Sequence, residues 1–135
     1  MHETISRLRD AMNRHDAEGM VALFAPNYRS EQPLHPQRGF GGRDQVGLNW
    51  SRMFEGIPDF EAGVVKESTD GATVWSEWVW RGSHRDGSPF LMKGVLVTGL
   101  EDDGAIAWQR LYIEPVEQGG AAIDEAVRHL SGTSG

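Results

Sequence analysis

The sequence predicts an α+β fold, a cone in which helices close the mouth of a bent antiparallel sheet. Before residue 58, apolar residues recur at helical spacing in three segments, whereas from Asp59 onward the apolar period changes to two, as in strands. The Asp-Gly pairs 70–71, 86–87 and 103–104 separate the later apolar runs. Because Asp-Gly tolerates the positive φ of hairpin turns, we expect a meander of four antiparallel strands. A chain of 135 residues is large enough for one core.

Three helices are expected before the meander. The first, over residues 4–14, has one apolar face made of Ile5, Leu8, Ala11 and Met12. The second is capped by Asp16, ends at Pro26, and carries Met20, Val21, Leu23 and Phe24. The third begins near Asp44, stops at Gly56 and Pro58, and has an apolar face made of Val46, Trp50, Met53 and Phe54.

Two further segments complete the predicted organisation. The segment NYRSEQP, residues 27–33, is strand-like up to Pro33, and LHPQRGFGG, residues 34–42, is predicted to be a loop. After Gly119-Gly120, a short amphipathic helix is expected from Ala122, Ile123, Ala126, Val127 and Leu130. We therefore expect a core domain over residues 1–120, followed by a C-terminal helix and flexible tail over residues 121–135.

The composition disfavours several classes of function. The net charge of −7 repels phosphate backbones, so no nucleic-acid partner is expected. No apolar run approaches the roughly 18 residues of a membrane span, and no secretory signal is visible, so no membrane association and a cytoplasmic location are expected. The chain has no cysteine, and its five histidines lack ligand spacing, so we expect no metal and no cofactor.

The order of several motifs resembles the nuclear transport factor 2-like superfamily, in its SnoaL-like and ketosteroid isomerase-like branch. The opening stretch DAMNRHDAEGMVALFAPNYRSEQP is similar to the start of such domains, and WVWRGSHRDG, MKGVLVTGL and DDGAIAWQRLYIEP are similar to their later strands. The resemblance covers about residues 5–116. It implies a cystatin-like roll, a curved antiparallel sheet whose cavity is closed by three N-terminal helices, with a short C-terminal helix added.

Strand alternation divides the meander into two faces, and the resemblance assigns the face of Trp78, Leu96 and Leu111 to the cavity. The predicted lining consists of Tyr28, Gln32, Asn49, Trp50, Met53, Trp78, Trp80, Met92, Leu96, Gln109, Leu111 and Ile113. Thr98 and His84 are further polar groups on that face. Such a lining suits a small apolar or aromatic molecule. The alternative is that these aromatic side chains simply fill the core.

The opposite face predicts a homodimer interface. It interleaves aromatic and charged side chains, namely Trp75, Arg81, Trp108, Arg110 and Tyr112. Members of the superfamily commonly dimerise through this face. The alternative is a solvated ladder of cross-strand ion pairs.

The catalytic residues of the relatives are absent at the matching positions. A ketosteroid isomerase-like site would need acid–base groups where this chain has Leu8, Gln32 and Leu96. A limonene epoxide hydrolase-like site would need charged groups where it has Trp78, Trp80 and Leu111. For a SnoaL-like cyclase the nearest acid is Glu114, which alternation directs outward.

The remaining candidate catalytic residues are Glu31 and His35, which are close in sequence at the expected edge of the cavity. A desolvated carboxylate could act as a base, and a nearby imidazole could relay its proton. The alternative is that Glu31 pairs with Arg29 or Arg38 and that His35 is an exposed loop residue. Two functions therefore stay open: a cofactor-independent isomerase, cyclase or hydrolase, and a non-catalytic ligand-binding or dimeric scaffold module.

Overall fold

The computed structural model describes residues 1–133 as an α+β fold in which three helices pack on one face of a six-stranded sheet. The helices are α1 (Glu3–Asn13), α2 (Ala17–Val21), α3 (Asp44–Gly56) and α4 (Ile123–Ser131). The strands are β1 (Phe24–Glu31), β2 (Phe40–Gly41), β3 (Glu61–Asp70), β4 (Thr73–Ser83), β5 (Pro89–Leu100) and β6 (Ile106–Pro115). The predicted fold class is confirmed.

The sheet has the strand order β2-β1-β6-β5-β4-β3. All neighbouring pairs are antiparallel except β1 and β6, which run parallel. The predicted meander is β3 to β6, and its three turns contain Gly71, Gly87 and Gly104 at φ values of +60°, +87° and +88°. Glycine adopts this left-handed backbone without the steric cost of a side chain, which explains the Asp-Gly pairs.

The predicted extent of the second helix is wrong. Helix α2 ends at Val21, and Phe24 begins strand β1, which includes Pro26. Phe24 is 3% exposed and its ring meets that of Tyr28 edge-on, with centroids 4.6 Å apart, so tertiary packing overrides the local helical pattern. The β1–β6 register shifts between Phe24 and Arg29, and Pro26 lies within that irregular stretch, where proline is tolerated in a sheet.

The segment predicted as a loop, residues 34–42, is only partly a loop. A short 3₁₀ helix spans Pro36–Arg38, and strand β2 pairs with β1 at the register Ser30↔Phe40 and Arg29↔Gly41. Two-residue strands lack a period, so alternation could not reveal β2. This pairing folds the segment back along β1 and places Phe40 beside the concave face.

The hydrophobic core lies between the concave face of the sheet and helices α1, α2 and α3. The sheet contributes buried inner-face side chains, namely Ser76, Trp78, Trp80, Leu96, Thr98, Gln109 and Ile113. The helices contribute the buried side chains of Ile5, Leu8, Met12, Met20 and Val46. Trp75 and Tyr112, on the opposite face, are 47% and 38% exposed. The two faces thus divide as alternation predicts, except that Val97 on the outer face is also buried.

Helix α4 follows the last strand and has no buried residue. Its apolar side chains face solvent, with Ile123 79% and Leu130 84% exposed. Gly132 ends the helix in the left-handed conformation, at φ +74°. Among residues 1–133, no helix combines the length and apolar character needed to cross a membrane.

Candidate functional site

A cavity of about 80 Å³ lies between the concave face of the sheet and the three packed helices. Its lining is Leu8, Met12, Met20, Phe24, Tyr28, Ser30, Gln32, Phe40, Val46, Asn49, Trp50, Trp80, Leu96, Gln109 and Leu111. The mouth of the cavity is marked by the lining side chains that are half-buried: Gln32, Phe40, Asn49, Trp50 and Leu111. The mouth is therefore formed by β1, the β2 segment, α3 and β6.

A chain of buried hydrogen bonds forms the polar part of the inner wall. Tyr28 Oη donates to Gln109 Oε1 at 2.9 Å, and Gln109 Nε2 donates to Thr98 Oγ1 at 3.1 Å. Strand alternation brings these side chains to the same face of β1, β6 and β5. Burial raises the pKa of the Tyr28 phenol above its ordinary value, because the phenolate would lose its hydration. Tyr28 therefore stays neutral at physiological pH.

Trp50 and Trp80 form an aromatic part of the wall, with Phe60 packed against both. The rings of Trp50 and Trp80 meet edge-to-face at a centroid distance of 5.1 Å and an angle of 81°. Phe60 packs edge-on against Trp50 at 5.4 Å and also contacts Trp80 at 6.1 Å. Trp50 comes from α3 and Trp80 from β4, so the cluster ties the helix to the sheet.

Amide side chains stand at the mouth. Gln32 Oε1 accepts a hydrogen bond from Arg38 Nη1 at 3.1 Å, and Asn49 Oδ1 accepts one from Gln45 Nε2 at 2.7 Å. Gln32 follows β1 and Asn49 lies one turn after Gln45 on α3, so each amide is held by a neighbour close in sequence. The mouth thus offers neutral hydrogen-bonding groups.

The lining contains no Asp, Glu, His, Lys or Arg among the described residues, and Tyr28 is its one titratable group. A wall of neutral donors and acceptors cannot compensate the desolvation of a buried charge. The cavity therefore suits a neutral molecule or a neutral part of one. It holds no group that could accept a proton at neutral pH.

Eight residues predicted to line the pocket do line this cavity: Tyr28, Gln32, Asn49, Trp50, Trp80, Leu96, Gln109 and Leu111. Four do not, namely Met53, Trp78, Met92 and Ile113. Trp78 is fully buried, and its Nε1 donates to Ser76 Oγ at 2.8 Å within the core. Met92 lines a separate surface groove with Phe90 and Pro115.

Seven lining residues were missing from the predicted set: Leu8, Met12, Met20, Phe24, Ser30, Phe40 and Val46. Helical spacing places Leu8, Met12 and Val46 on apolar faces, which is the sequence signal for their position in the lining. Ser30 alternates with Tyr28 and Gln32 along β1, which is the signal that could have found it.

The structure does not bring the predicted catalytic residues Glu31 and His35 together. The Glu31 side chain is 52% exposed and lies 3.5 Å from Arg29 Nε, on the face of β1 opposite Ser30. His35 Nε2 lies 2.6 Å from Glu114 Oε1, a partner that the sequence did not reveal. Neither Glu31 nor His35 lines the cavity. The β1–β6 pairing explains the contact, because it carries the segment after β1 alongside the end of β6.

A larger groove, of about 660 Å³, lies at the opposite end of β1 and is open to solvent. Its wall includes the start of α1 and the β5–β6 turn, with the acidic side chains Glu3, Glu101, Asp102 and Asp103. Within residues 1–133, no group of three His, Asp or Glu side chains is arranged to hold a metal ion. The enclosed cavity on the concave face is therefore the candidate site.

Comparison with known proteins relates the chain to one family. A model of the SnoaL-like domain matches residues 5–109. No sequence among the curated proteins matches the chain. The solved structure of IdmH from Streptomyces antibioticus, a proposed polyketide cyclase, is 24% identical, with a TM-score of 0.72 over 84% of this chain and 93% of IdmH.

Two other similar structures contain small molecules. RV0760c from Mycobacterium tuberculosis, in complex with estradiol-17beta-hemisuccinate, is 18% identical, with a TM-score of 0.69 over 81% of this chain and 89% of that protein. A hypothetical protein with a ketosteroid isomerase-like fold from Catenulispora acidiphila, in complex with trimethylamine, is 17% identical, with a TM-score of 0.71 over 80% of this chain and 82% of that one. At these identities the likeness establishes the fold.

Proposed function

This chain belongs to the SnoaL-like domain family, and we propose that it binds a small, neutral, largely apolar molecule in the cavity of its concave face. The observation that carries this proposal is the lining: apolar and aromatic side chains with a few uncharged polar groups, among them Tyr28, Gln109 and Asn49. Ligand pockets typically combine these two kinds of surface. Small-molecule complexes of similar folds support the same assignment.

The size of the cavity limits the ligand. Typical ligand pockets have volumes of roughly 300–1,000 Å³, whereas this cavity has about 80 Å³. It accepts a group about as large as a small ring. A larger molecule requires the half-buried Phe40 and Trp50 to move outward at the mouth.

Titration with toluene, followed by ¹H–¹⁵N NMR spectra of the protein, tests the proposal. We expect saturable shifts at the backbone amides of Ser30, Leu96 and Gln109, which line the cavity, and none at Tyr112 on the outer face. The matched variant Val46→Phe adds a ring to the cavity from α3 and should weaken binding strongly. Saturable shifts confined to the outer face, or none at all, would contradict the proposal.

A second candidate is a cofactor-independent acid–base enzyme of the isomerase, cyclase or hydrolase type. The observation that favours it is the contact between His35 and Glu114 at 2.6 Å, because a carboxylate beside an imidazole orients that ring as a base. The backbone N–H of His35 donates to the carbonyl oxygen of the lining residue Gln32 at 2.8 Å, which ties His35 to the segment at the mouth. Glu31, the other predicted catalytic residue, lies on the face of β1 opposite the cavity, so it would act only on a substrate that binds at the outer face.

Chromatographic separation and ¹H NMR spectra of a cavity ligand before and after incubation test the enzymatic candidate, because isomerisation and ring closure leave the mass of a molecule unchanged. His35→Ala and Glu114→Gln should abolish conversion, whereas Glu31→Gln should reduce it only if Glu31 takes part. Recovery of unchanged ligand after incubation with the unmodified protein would contradict the enzymatic candidate, and ligand binding would be the one proposed function of the cavity.

We also propose that the chain forms a homodimer through its outer sheet face. Trp75 and Tyr112 are large exposed side chains on that face, and the Trp108 ring lies over Gly99 with the Arg110 guanidinium stacked 4.7 Å from its centroid. Aromatic and Arg side chains are enriched at protein interfaces. In an isologous dimer, this face would pair with the same face of a second copy.

A further inference from the structure

One buried donor in the cavity wall lacks a partner. Trp80 lines the cavity and is 5% exposed. Its Nε1 is buried and has no hydrogen-bond partner within residues 1–133. Buried polar groups are nearly always paired, and an unpaired one costs about 1–3 kcal/mol. The exception therefore needs an explanation.

Trp78 provides an internal comparison. It lies on the same face of β4, two residues earlier, and its Nε1 donates to Ser76 Oγ at 2.8 Å. Ser76 Oγ in turn lies 3.3 Å from the Leu96 carbonyl oxygen, to which it donates. The indole N–H of Trp78 is thus hydrogen-bonded within the core. The unsatisfied indole is the one that borders the cavity.

The surrounding packing holds the Trp80 ring in place. Trp50 meets it at 81° and Phe60 contacts it at 6.1 Å, so the ring cannot turn to find another acceptor without disrupting this cluster. The polar chain of the inner wall is already engaged, because the Tyr28 hydroxyl donates to Gln109. Trp80 Nε1–H is therefore a buried donor of a lining residue that has no acceptor among the described residues.

We propose that the ligand presents a neutral hydrogen-bond acceptor, a carbonyl oxygen of a ketone or a similar group, to Trp80 Nε1. This inference rests on the proposed binding function and specifies its ligand class. A carboxylate is disfavoured because no Lys, Arg or His of residues 1–133 lines the cavity. A purely hydrocarbon ligand would leave the indole N–H unpaired and would bind more weakly.

Two probes of nearly identical shape test the proposal: cyclohexanone, and methylenecyclohexane, in which CH₂ replaces the carbonyl oxygen. Each is titrated into protein with ¹⁵N-labelled tryptophan, whose five indole N–H groups are observed separately. We expect cyclohexanone to bind about tenfold more tightly, the free-energy equivalent of one hydrogen bond. We also expect it to move the Trp80 indole proton downfield.

Two variants complete the experiment. Trp80→Phe keeps an aromatic ring and identifies the Trp80 signal by its loss. In this variant the two probes should bind with about equal affinity. Trp75→Phe, at an exposed position on the outer face, should leave the preference unchanged. The shift of the Trp80 proton in the unmodified protein is a readout that does not depend on either variant folding.

The outcomes separate this inference from the binding function. Equal affinity for both probes, with an unmoved Trp80 proton, overturns the inference and leaves the binding function standing. A Trp80 proton already shifted far upfield in the free protein and unmoved by cyclohexanone also overturns it, because the indole then donates to the ring face of Trp50. Failure of both probes to bind contradicts the binding function and the inference together.

Discussion

The Tyr28 hydroxyl donates a hydrogen bond to Gln109 Oε1 at 2.9 Å, and both side chains are buried. The bond joins neighbouring strands β1 and β6 across the inner face of the sheet, between residues 81 positions apart in sequence. It also shapes the cavity wall, because both side chains belong to the lining. Removing it should affect stability as well as binding.

We expect Tyr28→Phe to lower the free energy of unfolding by about 1–3 kcal/mol, because Gln109 Oε1 is then left buried without its donor. Urea denaturation followed by tryptophan fluorescence measures this change. Tyr112→Phe removes a hydroxyl from the exposed outer face and is the matched control. Equal stability of the Tyr28→Phe variant and the unmodified protein would mean that Gln109 finds another donor.

Stability should fall steeply in alkaline solution. Burial raises the pKa of Tyr28 above its ordinary value near 10, so the folded chain keeps the phenol proton longer than the unfolded chain does. Below pH 10 both states are protonated and the contribution is fully present. As the pH rises above 10, only the unfolded chain loses the proton, and unfolding becomes easier by up to about 1.4 kcal/mol per pH unit.

Urea denaturation between pH 9 and pH 11 measures this dependence. The slope of unfolding free energy against pH should be shallower in Tyr28→Phe than in the unmodified protein and in Tyr112→Phe. A slope that is identical in all three proteins would contradict the role of Tyr28 burial.

A close backbone approach should make Gly94 intolerant of any side chain. A Cβ atom at Gly94 would lie 2.0 Å from the Tyr112 carbonyl oxygen and 2.5 Å from Ile113 Cα, both of which belong to the β6 backbone. We expect Gly94→Ala to lower the free energy of unfolding by about 1–3 kcal/mol, since β5 and β6 must separate locally. The control is Gly63→Ala in β3, where no heavy atom lies within 4 Å of the added Cβ. Equal effects of the two substitutions in denaturation would contradict the close approach.

The proposed dimer predicts that a charge at Trp75 dissociates it. Trp75 is 47% exposed on the outer face, and a lysine there would bury an unpaired charge in the interface. Sedimentation velocity should show a dimer for the unmodified protein and a monomer for Trp75→Lys. Leu48→Lys, at a 45% exposed position on α3, should remain dimeric. A monomeric unmodified protein would contradict the proposal.

Much of the fold could be predicted because two different periods divide the chain. Period-two alternation places Trp78, Leu96 and Gln109 on one face, and the Asp-Gly turns locate the hairpins. Local patterns could not show that Phe24 belongs to a strand, because that outcome depends on packing against Tyr28. Nor could they show β2, whose pairing with β1 is a tertiary contact.

The site was less predictable, because strand alternation predicts which face of the sheet a side chain lies on, but not whether that side chain borders the cavity. Trp78 and Trp80 share a face, yet only Trp80 borders the cavity, since Trp78 is sealed in by the core and bonded to Ser76. The contact between His35 and Glu114 spans 79 positions in sequence and depends on the parallel pairing of β1 with β6. Spacing within a short motif could not reveal it.

Filling the cavity should stabilise the protein while weakening ligand binding. Val46 is 3% exposed on α3 and lines the cavity, so Val46→Leu adds a methylene group to empty space. We expect the free energy of unfolding to rise by about 0.8 kcal/mol, the value of burying one CH₂ group. Toluene affinity should fall, because the same volume is no longer free.

The matched control is Val74→Leu, which adds the same group at a buried position away from the cavity. Val74 is 0% exposed and does not line the cavity, so the extra methylene must displace packed neighbours. Overpacking of this kind typically costs about 1–3 kcal/mol. We therefore expect urea denaturation to show a higher free energy of unfolding for Val46→Leu and a lower one for Val74→Leu. Toluene affinity should fall more in Val46→Leu. Destabilisation by both would mean that the space beside Val46 is already filled, which contradicts a binding cavity at this position.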